Sequence, residues 1–178
     1  GFLPQAMLNF LVLLGWSLDD KTELMSRSDL IENFSLERVG KSPAIFDTDK
    51  LTWMNGVYMR QVAEDEMAAL ISKAVAPYME SFGKALDTAY LLSIVPLVQD
   101  RLKTLKPDEV WALTSFFLVD DLEYETDSLV PRGMDRTATR AALEATDDAL
   151  KPLSSFDAQT LEGVLRSLTE DLHLKTRE

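Results

Sequence analysis

Residues 64–75 read EDEMAALISKAV, and the spacing of their apolar side chains indicates the fold class of the chain. These side chains recur at intervals of three and four residues, on one face of an α-helix: Met67, Leu70, Ile71 and Ala74. Acidic residues 64–66 precede them, where the helix dipole favours negative charge. Similar spacing recurs along most of the chain, and no segment alternates with the two-residue period of a strand. The sequence therefore predicts an all-α protein with about eight helices.

Capping residues and prolines predict where the other helices begin. N-terminal boundaries are expected at a capping box over 26–29, at Pro107 as a first helical residue, and at the N-caps Asp47, Asp135 and Asp157. A helix over 7–14 is expected to stop at Gly15, and a longer one to run from Phe82 to about Leu105. Seven acidic residues and no basic one lie between Pro107 and Val130, so we expect a solvated, irregular connection over 119–134 that divides two helical lobes.

The composition excludes several classes of function. The 178 residues include 30 acidic and 18 basic side chains, a net charge of −12, one histidine and no cysteine. A chain without cysteine has no disulfide scaffold and no thiol catalysis, and one histidine excludes a metal site built on a histidine pair. The longest apolar run, residues 7–15, is shorter than the roughly 18 residues that span a bilayer, and it lacks the basic flank of a signal peptide. We therefore expect a cytoplasmic protein without a membrane segment.

Three features that resemble functional sites have simpler interpretations. Gly40-Lys41-Ser42 is similar to the end of a phosphate-binding loop, but that loop needs a glycine at position 35, which is serine. His173 has no nucleophile or orienting partner near it in the sequence, so we interpret it as a surface residue. Adjacent acids such as Asp19-Asp20 diverge by about 100° on a helix, which favours solvated surface over metal ligands. We expect no catalytic residue and no metal site in this chain.

Basic residues concentrate in two segments of this acidic chain. Residues 36–60 have only three acidic side chains against four basic ones, which are Arg38, Lys41, Lys50 and Arg60. A second cluster without intervening acid is formed by Arg101, Lys103 and Lys106. If the helix in the first segment bends or ends near Gly56, Lys50, Trp53 and Arg60 converge on a phosphate backbone. Two interpretations remain open from composition alone: an RNA-contacting surface, or helices joined by ordinary salt bridges.

Two longer motifs resemble a known family. Residues 1–17, GFLPQAMLNFLVLLGWS, are similar to the G-[YF]-L-P-x-A-x-x-N-[YF]-L-x-x-L-G-W-S stretch of glutamyl-tRNA synthetases. Residues 35–60, SLERVGKSPAIFDTDKLTWMNGVYMR, resemble the segment of that family that contains R-V, F-D-x-x-K-L and W-[ML]-N-G-x-Y-[IM]-R. Both motifs occur at the separation that the family has, and the resemblance extends more loosely over 61–178.

The resemblance implies a domain organisation and an activity of the parent enzyme. Residues 1–60 would be a helical stem-contact region at the end of the class I synthetase body, 61–134 a first helical anticodon-binding lobe of the α-helix cage with its acidic connection, and 135–178 the start of a second, truncated lobe. The family's two nucleotide-binding signatures would precede Gly1. We therefore expect a C-terminal part of glutamate–tRNA ligase that binds tRNA without activating glutamate. The parent enzyme is expected to use ATP and Mg²⁺, and this chain to bind no cofactor.

The resemblance also implies roles for individual residues. Arg38, Lys50 and Arg60 are expected to contact phosphates of the tRNA, and Trp53 and Asn55 to stack on it or hydrogen-bond to it. Trp53 is equally suited to a core position. Arg101 is implied to read the third anticodon base. The other expected tRNA-binding residues are Lys41, Lys103 and Lys106. Asn9 and Trp16 are expected to be architectural. The expected partner is a glutamate tRNA. The protein is expected to be a monomer that does not associate with a membrane.

One alternative function and one unusual segment remain. The alternative is a non-catalytic, all-helical interaction module with no role in RNA binding, whose binding to polyanions would not depend on salt in the manner of a phosphate-binding protein. Residues 129–133, LVPRG, coincide with the thrombin recognition sequence of expression tags. Because helical sequence of ordinary composition continues on both sides, we interpret the segment as native, in an exposed turn.

Overall fold

The structure is a computed structural model that describes residues 1–40, 43–120, 122 and 124–174. Over these residues it contains α-helices and short 3₁₀ turns and no strand, which confirms the all-α prediction. The 3₁₀ turns are Leu36–Arg38, Gln99–Arg101 and Thr126–Leu129. The eight α-helices found there are α1 (Pro4–Leu13), α2 (Arg27–Asn33), α3 (Thr48–Met59), α4 (Glu64–Ser81), α5 (Thr88–Val98), α6 (Pro107–Leu118), α7 (Arg136–Leu150) and α8 (Ala158–Asp171).

The predicted helix starts are confirmed by their capping contacts. The Ser26 hydroxyl accepts a hydrogen bond from the Asp29 N–H while the Asp29 carboxylate accepts one from the Ser26 N–H, which completes the capping box of α2. The N-cap carboxylates of α3, α7 and α8 accept backbone N–H groups of the first turn, and they belong to Asp47, Asp135 and Asp157. Pro107 begins α6, where its missing N–H has no cost.

The single long helix expected from Phe82 to about Leu105 is wrong. Phe82 ends α4, and Gly83 follows with a φ of +63°, a left-handed conformation that glycine adopts without steric cost. Asp87 then accepts hydrogen bonds from two backbone N–H groups and starts α5, which ends at Val98. A glycine that terminates one helix and an aspartate that caps the next therefore divide an apolar run that spacing alone reads as continuous.

The chain forms two compact units, Gly1–Asp121 and Leu122–Glu178. In the first unit, α4, α5 and α6 pack around one apolar core, and α1 packs against α3. Methionine is prominent among the buried side chains of this unit, at Met25, Met54, Met59, Met67 and Met79. In the second unit α7 packs on α8, and Thr139 is the one buried residue among those that the structure describes there. No described helix is both long and apolar enough to cross a membrane.

Candidate nucleic-acid interface

The exposed side of α3 carries two of the residues expected to contact RNA. Trp53 and Arg60 lie seven residues apart, which is about two turns, so they share one face about 10 Å apart along the axis. Trp53 is 49% exposed, which decides the open question in favour of the surface over the core. The helix continues past Gly56 to Met59. Lys50, Trp53 and Arg60 therefore do not converge at a bend near Gly56. Instead, Trp53 and Arg60 are aligned along one face of a continuous helix.

Asn55 lies on the opposite side of α3 and is fully buried. Its Oδ1 accepts a hydrogen bond from the Leu3 N–H at 2.7 Å, and its Nδ2 donates to the Lys103 carbonyl at 2.6 Å. A side chain without exposed surface, and with both ends bonded to protein backbone, has no group left for RNA. The expectation that Asn55 stacks on or hydrogen-bonds to tRNA is corrected: Asn55 joins α3 to the two segments beside it.

The second basic cluster lies against the C-terminal end of α3. The Gln99 side chain donates two hydrogen bonds of 2.8 Å, to the carbonyl oxygens of Met59 and Val62. A Cβ placed on Gly56 would lie 3.6 Å from an Arg60 guanidinium nitrogen and 3.9 Å from the Cα of Lys103. Gly56 is thus where the turn after α5 crosses α3 closely. This crossing brings Arg60, from the first basic segment, beside Lys103 from the second.

The basic side chains at this crossing differ in their ionic partners. Within the described residues, Arg60, Arg101 and Lys103 are exposed and have no carboxylate within salt-bridge distance. Lys106 forms an ion pair of 3.0 Å with Glu109. Hydrogen bonds from the Thr104 hydroxyl and from Lys106 lower the pKa of the Glu109 carboxyl. We call Arg60, Arg101 and Lys103 the crossing cluster, because its charges are available to an anion.

The remaining basic residues of the first segment are engaged with protein. Lys50 forms an ion pair with Glu23 at 2.5 Å, with both side chains at least one third exposed. The Arg38 guanidinium lies 5.3 Å from the centroid of the Trp16 ring and donates a hydrogen bond to the Leu18 carbonyl. Lys41 lies outside the described residues. These contacts hold the segment after α1 in place, so Lys50 and Arg38 would have to exchange partners in order to bind a phosphate.

The two residues expected to be architectural are both buried. The Asn9 Oδ1 accepts a hydrogen bond from the Met25 N–H at 2.8 Å and lies 2.7 Å from the Tyr58 hydroxyl. Trp16 is 3% exposed. Sequence reasoning missed Gln99, which lies at the end of an apolar helix; its only signal was one amide side chain after the run LLSIVPLV.

The geometry suits a polyanionic ligand and suggests no chemistry of its own. Among the described residues, no three histidine or acidic side chains come close enough together to hold a metal ion. The exposed cations on α3 and on the turn after α5 are suited to phosphate oxygens, and the half-exposed ring of Trp53 is suited to a base or a ribose. These exposed groups are therefore suited to contact with a polyanion.

Comparison with known families assigns most of the chain. Residues 67–178 match the family model described as an anticodon binding domain. Residues 1–53 match the model for the catalytic domain of class I tRNA synthetases of the E and Q type. The crossing cluster thus joins Arg60, the C-cap of α3, which lies between the two matched regions, with two residues of the anticodon-binding match.

Similar proteins carry one name. The glutamate–tRNA ligase of Dehalococcoides mccartyi is 39% identical over 98% of this chain and 36% of its own length, and that of Roseiflexus castenholzii is 41% identical over 98% and 34%. A solved glutamate–tRNA ligase from Elizabethkingia meningosepticum superposes with a TM-score of 0.71 at 23% identity, over 98% of this chain and 33% of that one. The chain therefore spans about a third of the length of the relatives it matches. With its anticodon-binding match over more than half of its residues, the chain belongs to the glutamyl-tRNA synthetase family.

Proposed function

We propose that this chain is the tRNA-binding part of a glutamate–tRNA ligase and that the crossing cluster contacts the RNA. The observation that carries the proposal is the approach of Arg60 to Lys103, two residues after Arg101, at the crossing of α3, in a chain whose residues 67–178 match an anticodon-binding domain. These three cations are exposed and lack carboxylate partners among the described residues. Phosphate contact therefore displaces water and counterions rather than a salt bridge.

The net charge of −12 does not oppose this proposal. A tRNA contacts only one face of a protein of this size, so the local charge of that face determines the attraction. From Arg101 to Pro107 the sequence contains three basic residues and no acidic one. Acidic residues elsewhere limit binding to unrelated polyanions, which favours specific contact over general attraction.

The roles of the basic residues follow from their present partners. Arg60 and Lys103 are assigned to phosphates, and Arg101 to the third anticodon base. Lys50 and Lys106 each exchange a carboxylate for a phosphate on binding, so each adds less net affinity than a cation of the crossing cluster. Trp53 stacks on a base or a ribose from the same helix face as Arg60. Arg38 and Lys41 are assigned to the flanking backbone.

The activity of the parent enzyme belongs to the same proposal. It would attach glutamate to its tRNA with ATP and Mg²⁺, in the cytoplasm and as a monomer. Residues 1–60 would contact the stem side of the tRNA, 61–134 would form the first lobe of the anticodon-binding cage, and 135–178 would begin the second. The match of residues 1–53 to a class I catalytic-domain model supports the placement of the first region beside the synthetase body.

The proposal is tested by binding of the 178-residue chain to a glutamate tRNA transcript over a range of salt concentrations. Affinity should fall linearly on a double-logarithmic plot, and Lys103→Gln should make the slope shallower by about one ion. Lys73→Gln is the matched control, because Lys73 is an exposed lysine on α4 that the proposal leaves out of the interface. A response that is flat in salt, or equal effects of the two substitutions, would instead support the non-catalytic interaction module.

A further inference from the structure

Gln99 and Asn55 hold the two ends of the segment that carries Arg101. Gln99 begins the 3₁₀ turn Gln99–Arg101, is 8% exposed and donates its two hydrogen bonds to carbonyl groups at the end of α3. Four residues later, the Lys103 carbonyl accepts a hydrogen bond from the buried Nδ2 of Asn55. Arg101 lies midway between these two anchors with its side chain exposed.

The anchors fix this segment to the helix that carries Arg60. The carbonyl groups bound by Gln99 belong to the last turn of α3 and the loop after it, where a helix leaves acceptors without intrahelical partners. Leu102, between the anchors, is 1% exposed and packs in the core. The backbone at 99–103 is therefore held by two amide side chains and one buried leucine. Arg101 has no bonded partner of its own among the described residues.

We propose that Gln99 and Asn55 are positioning residues that hold Arg101 and Lys103 in register with Arg60 for tRNA. This inference rests on the proposed function, since it assigns the amides a role through the cations they position. A cation on a fixed turn meets its ligand without first being ordered, whereas a cation on a released turn must be ordered during binding. Gln99 begins the turn that carries Arg101, so loss of its amide should weaken mainly the contacts that Arg101 makes. Loss of the Asn55 amide should weaken mainly those of Lys103, and neither change should alter the contacts of distant cations.

The test is a double-mutant cycle on tRNA affinity. Gln99→Met keeps the length of the side chain and removes both donors, and Arg101→Gln removes the positioned charge. Each single change should weaken binding about tenfold, and the double variant should be little weaker than Arg101→Gln alone. Gln99→Met combined with Lys50→Ala should show multiplied effects, because Lys50 lies near the other end of α3. Gln61→Met is the matched control, since Gln61 is exposed and makes no side-chain hydrogen bond among the described residues.

A second readout does not involve RNA. Gln99→Met should accelerate backbone amide exchange in residues 100–104 and leave the exchange of α4 unchanged. Gln99→Asn, which keeps the amide but shortens its reach to the two carbonyl groups, should show the same pattern if Gln99→Met lowers the thermal stability of the chain too far for binding studies. Unchanged exchange, or multiplied effects of Gln99→Met and Arg101→Gln, would overturn the positioning role. An Arg101→Gln variant with full affinity would overturn the assignment of Arg101 itself, and with it the proposed tRNA contact.

Discussion

Asn55 and Trp53 lie two residues apart on α3 and meet opposite surroundings. Two residues correspond to about 200° around a helix, so Trp53 faces solvent while Asn55 is fully buried. The amide of Asn55 satisfies a backbone donor at Leu3 and a backbone acceptor at Lys103. Asn55 therefore contributes to the stability of the first unit, whereas Trp53 contributes an exposed ring to its surface.

Asn55→Ala should destabilise the protein more than Trp53→Ala does. The first change leaves the Leu3 N–H and the Lys103 carbonyl without partners, which costs about 1–3 kcal/mol for a buried polar group. Urea denaturation of the two variants measures the difference. If Asn55→Ala unfolds at the same urea concentration as Trp53→Ala, water replaces the lost amide, and the hydrogen bond from Asn55 to the Lys103 carbonyl stabilises the protein less than its geometry indicates.

Glu23→Gln should raise the affinity for tRNA at low salt. The Glu23 carboxylate neutralises Lys50, and its loss frees the ammonium group for a phosphate. Fold stability should change little, because an exposed ion pair contributes about 0–1 kcal/mol. Binding titrations of Glu23→Gln and of the control Glu32→Gln, an exposed acid on α2 without an ion pair among the described residues, give the comparison. Equal affinities of the two variants would remove Lys50 from the interface.

Helix starts were predictable from the sequence because an N-cap acts on its own first turn. Asp47, Asp135 and Asp157 cap the helices that their positions predict. The break at Gly83 was missed, because the apolar residues on both sides keep helical spacing while the glycine reverses the chain. The surface of the site could be predicted only in part from the sequence. A basic segment indicates charge, but packing against Leu3 and the 99–103 turn determines which side chains face outward. Burial of Asn55 is a tertiary property of that kind.

Alanine should have opposite effects at two glycines that both have open space around them. At Gly83, φ is +63°, so Gly83→Ala forces a left-handed conformation that costs about 1–2 kcal/mol. At Gly163, inside α8, Gly163→Ala improves helix propensity by about 0.8–1.0 kcal/mol. Thermal unfolding should show a lower melting temperature for Gly83→Ala and a higher one for Gly163→Ala than for the parent. A stabilised Gly83→Ala variant would show that α4 does not end in the left-handed conformation.

The N-cap of α8 should make this helix sensitive to acid. Hydrogen bonds from the Ser155 hydroxyl and from the Thr160 backbone and hydroxyl lower the pKa of Asp157 to about 2. Because the folded pKa lies below that of the unfolded chain, near 3.9, the stabilisation is complete above pH 4 and is lost as the pH falls towards 2. Circular dichroism between pH 5 and 2 should show less loss of helix in Asp157→Ala than in the parent over this window. Equal titration curves would contradict the capping role.

The loop between the 3₁₀ turn Thr126–Leu129 and α7, inside the second unit, contains a thrombin-like recognition sequence whose cleavage reports its exposure. Leu129 ends a 3₁₀ turn and is 42% exposed, Arg132 is exposed, and Gly133 adopts a φ of +95°. Thrombin should therefore cut the folded protein once, after Arg132, giving residues 1–132 and 133–178, which mass spectrometry identifies. Cleavage should be slower than in the urea-unfolded chain, because Leu129 must leave its turn to enter the protease cleft. If only the unfolded chain is cut, the segment is packed, and a lobe boundary within 119–134 is wrong.

All the sulphur of this protein is in methionine, since the chain has no cysteine. The five buried methionines belong to the first unit, whereas Met7 and Met134 are partly exposed, one in each unit. Peroxide reaches a buried thioether only when the core opens, and the sulfoxide it forms is too polar to pack back. Oxidation of the partly exposed pair would thus be faster than that of the buried five, which would proceed at the rate of core opening. Each opening under oxidising conditions would carry a risk of oxidising the core, so the lifetime of the protein under such stress depends on how rarely its methionine-rich core opens.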